Sequence, residues 1–177
     1  MFRKLFAAAT VAVLAALIPA GQASAADDVV YIVNRAGNKC LDAAAQGNGA
    51  NGTPIQLWDC YPPTQYNQMW RVHWLTEYDF QLINVGSGTC LTPWGTTDGT
   101  RLQLWDCLSN YTNQVWHSQY TNTPGYVWLT EQKSFKVLDA AAQYNSVNGT
   151  PVQIWYRIGD EAQTNQRWIF KHASDFY

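Results

Sequence analysis

Short runs of alternating apolar and polar side chains, broken by clusters of Gly, Asn, Pro and Thr, fill the chain from about residue 29 onwards. Successive side chains of an extended strand point to opposite sides. Over Pro54–Cys60 this sets Ile55 and Leu57 on one face and Gln56 and Trp58 on the other. The division recurs twice, as Leu102 and Leu104 against Gln103 and Trp105, then Val152 and Ile154 against Gln153 and Trp155. The aliphatic face must be the core, so each of these tryptophans is predicted on the outer face beside a glutamine. No stretch sustains a helical period.

The recurrence extends over three units, roughly residues 29–75, 79–120 and 126–173. Their anchors come in one order. Leu41-Asp42, Leu91-Thr92 and Leu138-Asp139 lead; the Gln-x-Trp pairs ending at Trp58, Trp105 and Trp155 follow. Asn67-Gln68-Met69-Trp70, Asn113-Gln114-Val115-Trp116 and Asn165-Gln166-Arg167-Trp168 close each unit. Each unit reads as four short strands, in the first Val29–Asn34, Lys39–Ala43, Pro54–Cys60 and Gln68–Trp74, separated by runs of turn residues. Twelve short strands in three pseudo-symmetric units predict an all-β fold, a closed antiparallel barrel capped by hairpins, the β-trefoil. Closure removes the sheet edges that would otherwise aggregate. Trp70, Trp116 and Trp168 alternate with apolar neighbours such as Val72 and Phe170 and are predicted core residues.

Four cysteines allow three pairings, and the repeat selects one. Cys40 and Cys60 occupy equivalent places to Cys90 and Cys107, whereas the third unit carries Val137 and Arg157 there. One disulfide is therefore expected in each of the first two units. If each bond joins directly opposed residues, Asp42 lies across from Trp58, Thr92 from Trp105 and Asp139 from Trp155.

The first 25 residues have a different character. Arg3 and Lys4 precede an apolar stretch, Leu5–Ile18, and Ala23-Ser24-Ala25 supplies a small-residue cleavage site. This predicts a secretory signal peptide over residues 1–25, too short for a membrane anchor. Residues 26–177 are then expected to form one secreted, extracellular domain, bacterial in origin, with paired cysteines. With Trp168 nine residues from Tyr177, no second domain is expected. Without Arg3 and Lys4 the formal net charge falls from −2 to −4, and no basic patch interrupts the remainder. Nucleic acid and anionic membrane are therefore excluded as expected partners. Nine Trp and ten Tyr beside only 14% charged residues suit recognition as well as packing.

The three Gln-x-Trp endings, with Leu-Asp and Gln-Leu-Trp upstream in register with the cysteines, resemble the ricin-type lectin β-trefoil over essentially all of residues 26–177. The resemblance implies a non-catalytic carbohydrate-binding protein, with up to one site per unit, acting on galactose-type or other glycans. It assigns sugar contacts to Asp42, Gln56, Trp58, Asn67 and Gln68 in the first unit, and to Asp139, Gln153, Trp155, Asn165 and Gln166 in the third. The chemistry suits those roles. The C–H face of a pyranose stacks on an indole, and its vicinal hydroxyls donate to a carboxylate, a charge-assisted bond. Leu41–Trp58 and Leu138–Trp155 are identical at 13 of 18 positions, which packing alone would not require of solvent-side Asp and Gln. In the second unit Thr92 stands in place of the aspartate, with Pro93 and Trp94 beside it, and weak or absent binding is expected there.

Other readings compete. Gln68, Gln114 and Gln166 could satisfy turn backbone, Asp42 and Asp139 could be turn residues, and Trp58 and Trp155 could pack against a loop. Asn51, Asn110 and Asn148 begin glycosylation sequons, but Asn-Gly at 51 and 148 is more simply a tight turn. For the whole chain, the competing function is an interaction protein such as a protease inhibitor, acting through its loops. Glycoside hydrolysis usually needs two carboxyls about 5–9.5 Å apart, and Asp42 and Asp139 fall in different units. His73, His117 and His172 lack metal-ligand spacing. No cofactor and no metal are expected, and a monomer is.

Overall fold

Turn residues divide the chain into strands too short to bury a face alone, so the three units complete one another. A computed structural model describes residues 28–141, 145–159 and 163–177. The leader expected over residues 1–25 lies outside the described residues. Twelve strands follow in order: β1 (Asp28–Asn34), β2 (Cys40–Ala43), β3 (Ile55–Trp58), β4 (Trp70–Trp74), β5 (Asp79–Asn84) and β6 (Cys90–Pro93). Then come β7 (Thr100–Trp105), β8 (Trp116–Tyr120), β9 (Val127–Glu131), β10 (Val137–Ala140), β11 (Val152–Trp155) and β12 (Trp168–Lys171). Six of them close a barrel through the antiparallel pairs β1–β4, β4–β5, β5–β8, β8–β9, β9–β12 and β12–β1. The hairpins β2–β3, β6–β7 and β10–β11 cap one end. This is the expected β-trefoil.

The predicted faces hold. Ile55 and Leu57 are buried, whereas Trp58 retains 37% of its surface. Trp70, Trp116 and Trp168 are each 0% exposed at the centre of the core. Their indole N–H groups donate to the carbonyls of Leu41 (3.0 Å), Leu91 (3.2 Å) and Leu138 (2.9 Å). Each Gln-x-Trp tryptophan thus ties the barrel to the residue just before position 42, 92 or 139. Strand limits in the first unit shift by one or two residues: β1 begins at Asp28, β2 at Cys40, β3 runs only from Ile55 to Trp58, and Tyr66–Gln68 forms a single 3-10 turn before β4. A turn of three residues is too short to register as a helical period.

The disulfides are Cys40–Cys60 and Cys90–Cys107, with Cα atoms 5.1 and 5.0 Å apart. The register inferred from them is nevertheless displaced by two residues. Cys40 pairs with Trp58, Asp42 with Gln56, Thr92 with Gln103 and Asp139 with Gln153. Cys60 lies beyond the end of β3, so the bond joins residues that are not directly opposed. Because strand side chains repeat every two residues, the displacement preserved every facing and moved only the pairing.

The cap is held by contacts between equivalent positions of the three units, two of them amide to carboxylate and the third backbone N–H to carboxylate. Asn51 donates to the Asp106 carboxylate (2.8 Å), Asn148 to that of Asp59 (2.8 Å), and Asp98 accepts from the Tyr156 backbone N–H (2.8 Å). In each case the residue before a turn glycine reaches the residue after an outer tryptophan of another unit. Gly52 and Gly149, with φ of +89° and +83°, turn the chain where a side chain would strain it. Asn51 and Asn148 are thus tight-turn residues.

Candidate functional site

Asp42, in β2, points away from the barrel interior yet is only 4% exposed. Its Oδ1 accepts from Gln56 Nε2 (3.0 Å), and its Oδ2 from Asn67 Nδ2 (2.9 Å) and Gln68 Nε2 (3.0 Å). A carboxylate offers about four lone-pair positions. Three are filled from within, leaving one on Oδ1 for an incoming hydroxyl. The expectation of an open carboxylate facing an indole, receiving two hydroxyls, is corrected here. Asp42 sits diagonal to Trp58 and is already nested in amides.

Gln68 explains the nest. Its Nε2 also donates to the Asp59 carbonyl (2.8 Å), and its Oε1 accepts from the Tyr61 N–H (3.0 Å). The side chain therefore does satisfy turn backbone, and at the same time fixes Asp42; it is a positioning residue. Asn67 donates its second proton to the Ala43 carbonyl (2.9 Å). With both amide protons turned inward, its carbonyl oxygen is the atom left for a ligand. A cleft of about 390 Å³ opens over this group, lined by Asp42, Gln56, Trp58, Tyr61, Gln65 and Asn67 among others.

The third unit rebuilds the same arrangement. Asp139 Oδ1 accepts from Gln153 (2.9 Å), and Oδ2 from Asn165 (2.9 Å) and Gln166 (3.0 Å). Gln166 is again saturated, by the Tyr156 carbonyl (3.0 Å) and the Ile158 N–H (2.9 Å). A cleft of about 310 Å³ is lined by Asp139, Gln153, Trp155, Tyr156, Gln163 and Asn165. One edge of Trp155 packs on the neighbouring turn, since a Cβ on Gly99 would stand 3.4 Å from its ring. Another difference is Arg101, whose Nη1 donates to Gln153 Oε1 (3.1 Å) from the adjacent strand β7.

Burial pushes both carboxyls above the ordinary aspartate range, against the opposing pull of the three amides on each; Arg101 adds a further downward pull on Asp139. Desolvation disfavours the charged form, and amide donors favour it.

The second unit lacks the nest. Thr92 donates to the Cys90 carbonyl (2.9 Å) and accepts from Gln114 (3.0 Å). Trp94 lies on Trp105, ring centroids 4.4 Å apart at 48°, and covers the face a sugar would need.

All ten residues assigned by resemblance fall in two clusters, five in each. Tyr61, Gln65, Tyr156 and Gln163 also line the clefts and were not foreseen. Gln65 and Gln163 had a legible signal, each standing two residues before its unit's Asn-Gln pair. Among the described residues no group of three His, Cys, Asp or Glu could hold a metal ion, and no helix is long and apolar enough to cross a membrane.

A threefold β-trefoil with amide-nested carboxylates beneath outer tryptophans defines a lectin-type architecture. The chain belongs to the ricin-type beta-trefoil lectin domain family, whose model matches residues 28–168. It is 36% identical over 84 residues to beta-galactoside-specific lectin 3 of Viscum album, a match covering 48% of the chain and 13% of that protein. The chain thus spans a small part of the curated relatives it matches. A designed threefold-symmetric protein, ThreeFoil, superposes with a TM-score of 0.72 at 25% identity, over 81% of this chain and 98% of that one. The Macrolepiota procera ricin B-like lectin in complex with lactose gives 0.69 at 22% identity, over 82% and 96%, a likeness of fold.

Proposed function

We propose that the chain is a secreted, non-catalytic lectin that binds glycans at two sites, one around Asp42 and Trp58 and one around Asp139 and Trp155. The observation that carries this reading is the repeated nest: a buried carboxylate held by three amides beside an outer tryptophan, built twice from equivalent positions. Three amides fix the carboxylate in place, so its remaining acceptor and the neighbouring Asn carbonyl meet sugar hydroxyls without reorganisation. The indole supplies the stacking surface. Galactose-type sugars are the first candidates, because the Viscum album relative is named a beta-galactoside-specific lectin. Catalysis is disfavoured by the clefts themselves. Among the described residues each is lined by one carboxyl, where glycoside hydrolysis usually employs two.

Titration of a methyl galactoside into ¹⁵N-labelled protein tests the reading. The indole N–H signals of Trp58 and Trp155 should shift with ligand, while that of Trp105 stays fixed. A panel of neutral methyl glycosides that moves neither signal would contradict it.

A further inference from the structure

The cleft over Asp42 does not stand alone. A second cleft, of about 310 Å³, adjoins it, and Ala45, Gln65 and Asn67 line both. Ala43 and Ala44 give the second cleft a floor of small buried side chains, with Ala45 exposed beside them. Asn48, Thr64 and Gln65 stand exposed around it, and among the described residues no hydrogen-bond partner engages their side chains. An apolar floor edged by uncommitted amides and a hydroxyl matches what a pyranose presents, a C–H face and a rim of hydroxyls.

The walls are tied together without a ligand. Asn84 Nδ2 donates to the Asn67 carbonyl (2.9 Å), and the Gly86 N–H donates to the Tyr66 carbonyl (3.1 Å). Thr53 Oγ1 donates to the Gly47 carbonyl (2.9 Å) and holds the cap loop. Little loop ordering therefore remains for a ligand to impose. Gly86 keeps the cleft open. The N–H two residues after Asn34, Asn84 and Glu131 turns back to that residue's side-chain oxygen in every unit, at 3.0, 3.2 and 2.6 Å. Ala36, Gly86 and Lys133 are thus equivalent, and of the three only Gly86 lacks a side chain. A Cβ there would stand 3.3 Å from the Asn67 backbone nitrogen, at the wall the two clefts share. In the second unit the corresponding cleft, lined by Pro93, Trp94, Asn113 and Lys133 among others, holds only about 170 Å³.

We infer that the first unit's site is an extended one: the Asp42 nest takes one sugar residue and the adjoining cleft takes the next. Linked glycan is therefore preferred there to a monosaccharide. The inference rests on the carbohydrate-binding reading of the Asp42 site and adds a second subsite to it. A second pyranose that gains two neutral hydrogen bonds over the Ala43–Ala45 floor should raise affinity about tenfold.

The test titrates methyl β-galactoside and the β-1,3-, β-1,4- and β-1,6-linked galactobioses into the ¹⁵N-labelled full chain. At least one galactobiose should move the Trp58 indole N–H signal at a concentration about tenfold below that of the monosaccharide. Gly86→Lys, which writes the second unit's side chain into the cleft, should bring that ratio close to one. Should this variant fail to fold, Asn48→Gly with Thr64→Ala removes two exposed polar groups instead and should lower the ratio. Glycine suits position 48, where φ is +50°. Galactobioses that all bind at Trp58 no more tightly than methyl β-galactoside, or a ratio unchanged in whichever variant folds, would overturn the inference. Failure of the lectin reading looks different: no sugar of the panel moves Trp58 or Trp155, and the inference falls with it.

Discussion

Trp70 donates its indole N–H to the Leu41 carbonyl at 3.0 Å, one residue before the carboxylate at the centre of the first cleft. That carbonyl has no partner in β3, because Leu57 opposite directs its N–H to Thr150 and its carbonyl to Gly149 in the third unit. The buried core tryptophan therefore sets the position of the hairpin that carries Asp42. Core and site are joined through one hydrogen bond.

Trp70→Phe preserves most of the ring and leaves the Leu41 carbonyl buried and unpaired. The expected destabilisation is about 1–3 kcal/mol, with a cavity contribution added, measured by denaturant unfolding. Galactoside affinity at Trp58 should fall as well, while the Trp155 site keeps its own.

Acid should weaken binding before it unfolds the protein. Burial raises Asp42 and Asp139 above their ordinary value of 3.8. The folded chain then holds these protons more tightly than the unfolded chain. The two groups contribute stability that is fully present below about pH 3.8 and is lost as pH rises through the folded values. Protonation on the way down thus favours the fold, but it removes an acceptor from each cleft. Calorimetric titrations should show sugar affinity declining at a pH above the usual aspartate range, with far-UV circular dichroism unchanged there. Affinity that holds level until the protein unfolds would contradict the carboxylate's role.

Much of this was legible in the sequence, and the failures have physical causes. Alternation in Ile55–Trp58 and its two copies gave the core face, since burial forces period two on any strand with one dry side. The equivalent cysteines gave the disulfides. They did not give the register, because a disulfide can join residues at a strand's end that are not opposed. The nesting of Asp42 was missed for a related reason: Gln68 reaches it from a 3-10 turn 26 residues away, and no local pattern reports that approach. Arg101 was passed over because its partner Gln153 belongs to another unit.

The second unit should become a site when its two departures are reversed. Thr92→Asp restores a carboxylate within reach of Gln114, which already donates to Thr92 Oγ1 at 3.0 Å. Trp94→Ala uncovers Trp105. The combined variant should bind neutral galactoside beside Trp105, seen as a new shift of its indole N–H, and either change alone should not.

The central claim is that the two aspartate nests hold neutral glycan. Each cleft is shallow and wet, so a monosaccharide should bind with a Kd of about 1 mM, near −4 kcal/mol. Two clefts on one domain can raise avidity for a polysaccharide roughly 10²- to 10⁴-fold where the geometry allows both to engage. Affinity electrophoresis through a neutral galactan, comparing the parent with Asp42→Asn, Asp139→Asn and the double variant, tests this directly. Each single variant should lose most of the retardation and keep a monovalent remnant. The double variant should migrate as if no polysaccharide were present, while far-UV circular dichroism in parallel shows that it remains folded. A double variant retarded as strongly as the parent would contradict the account and place glycan binding outside these clefts.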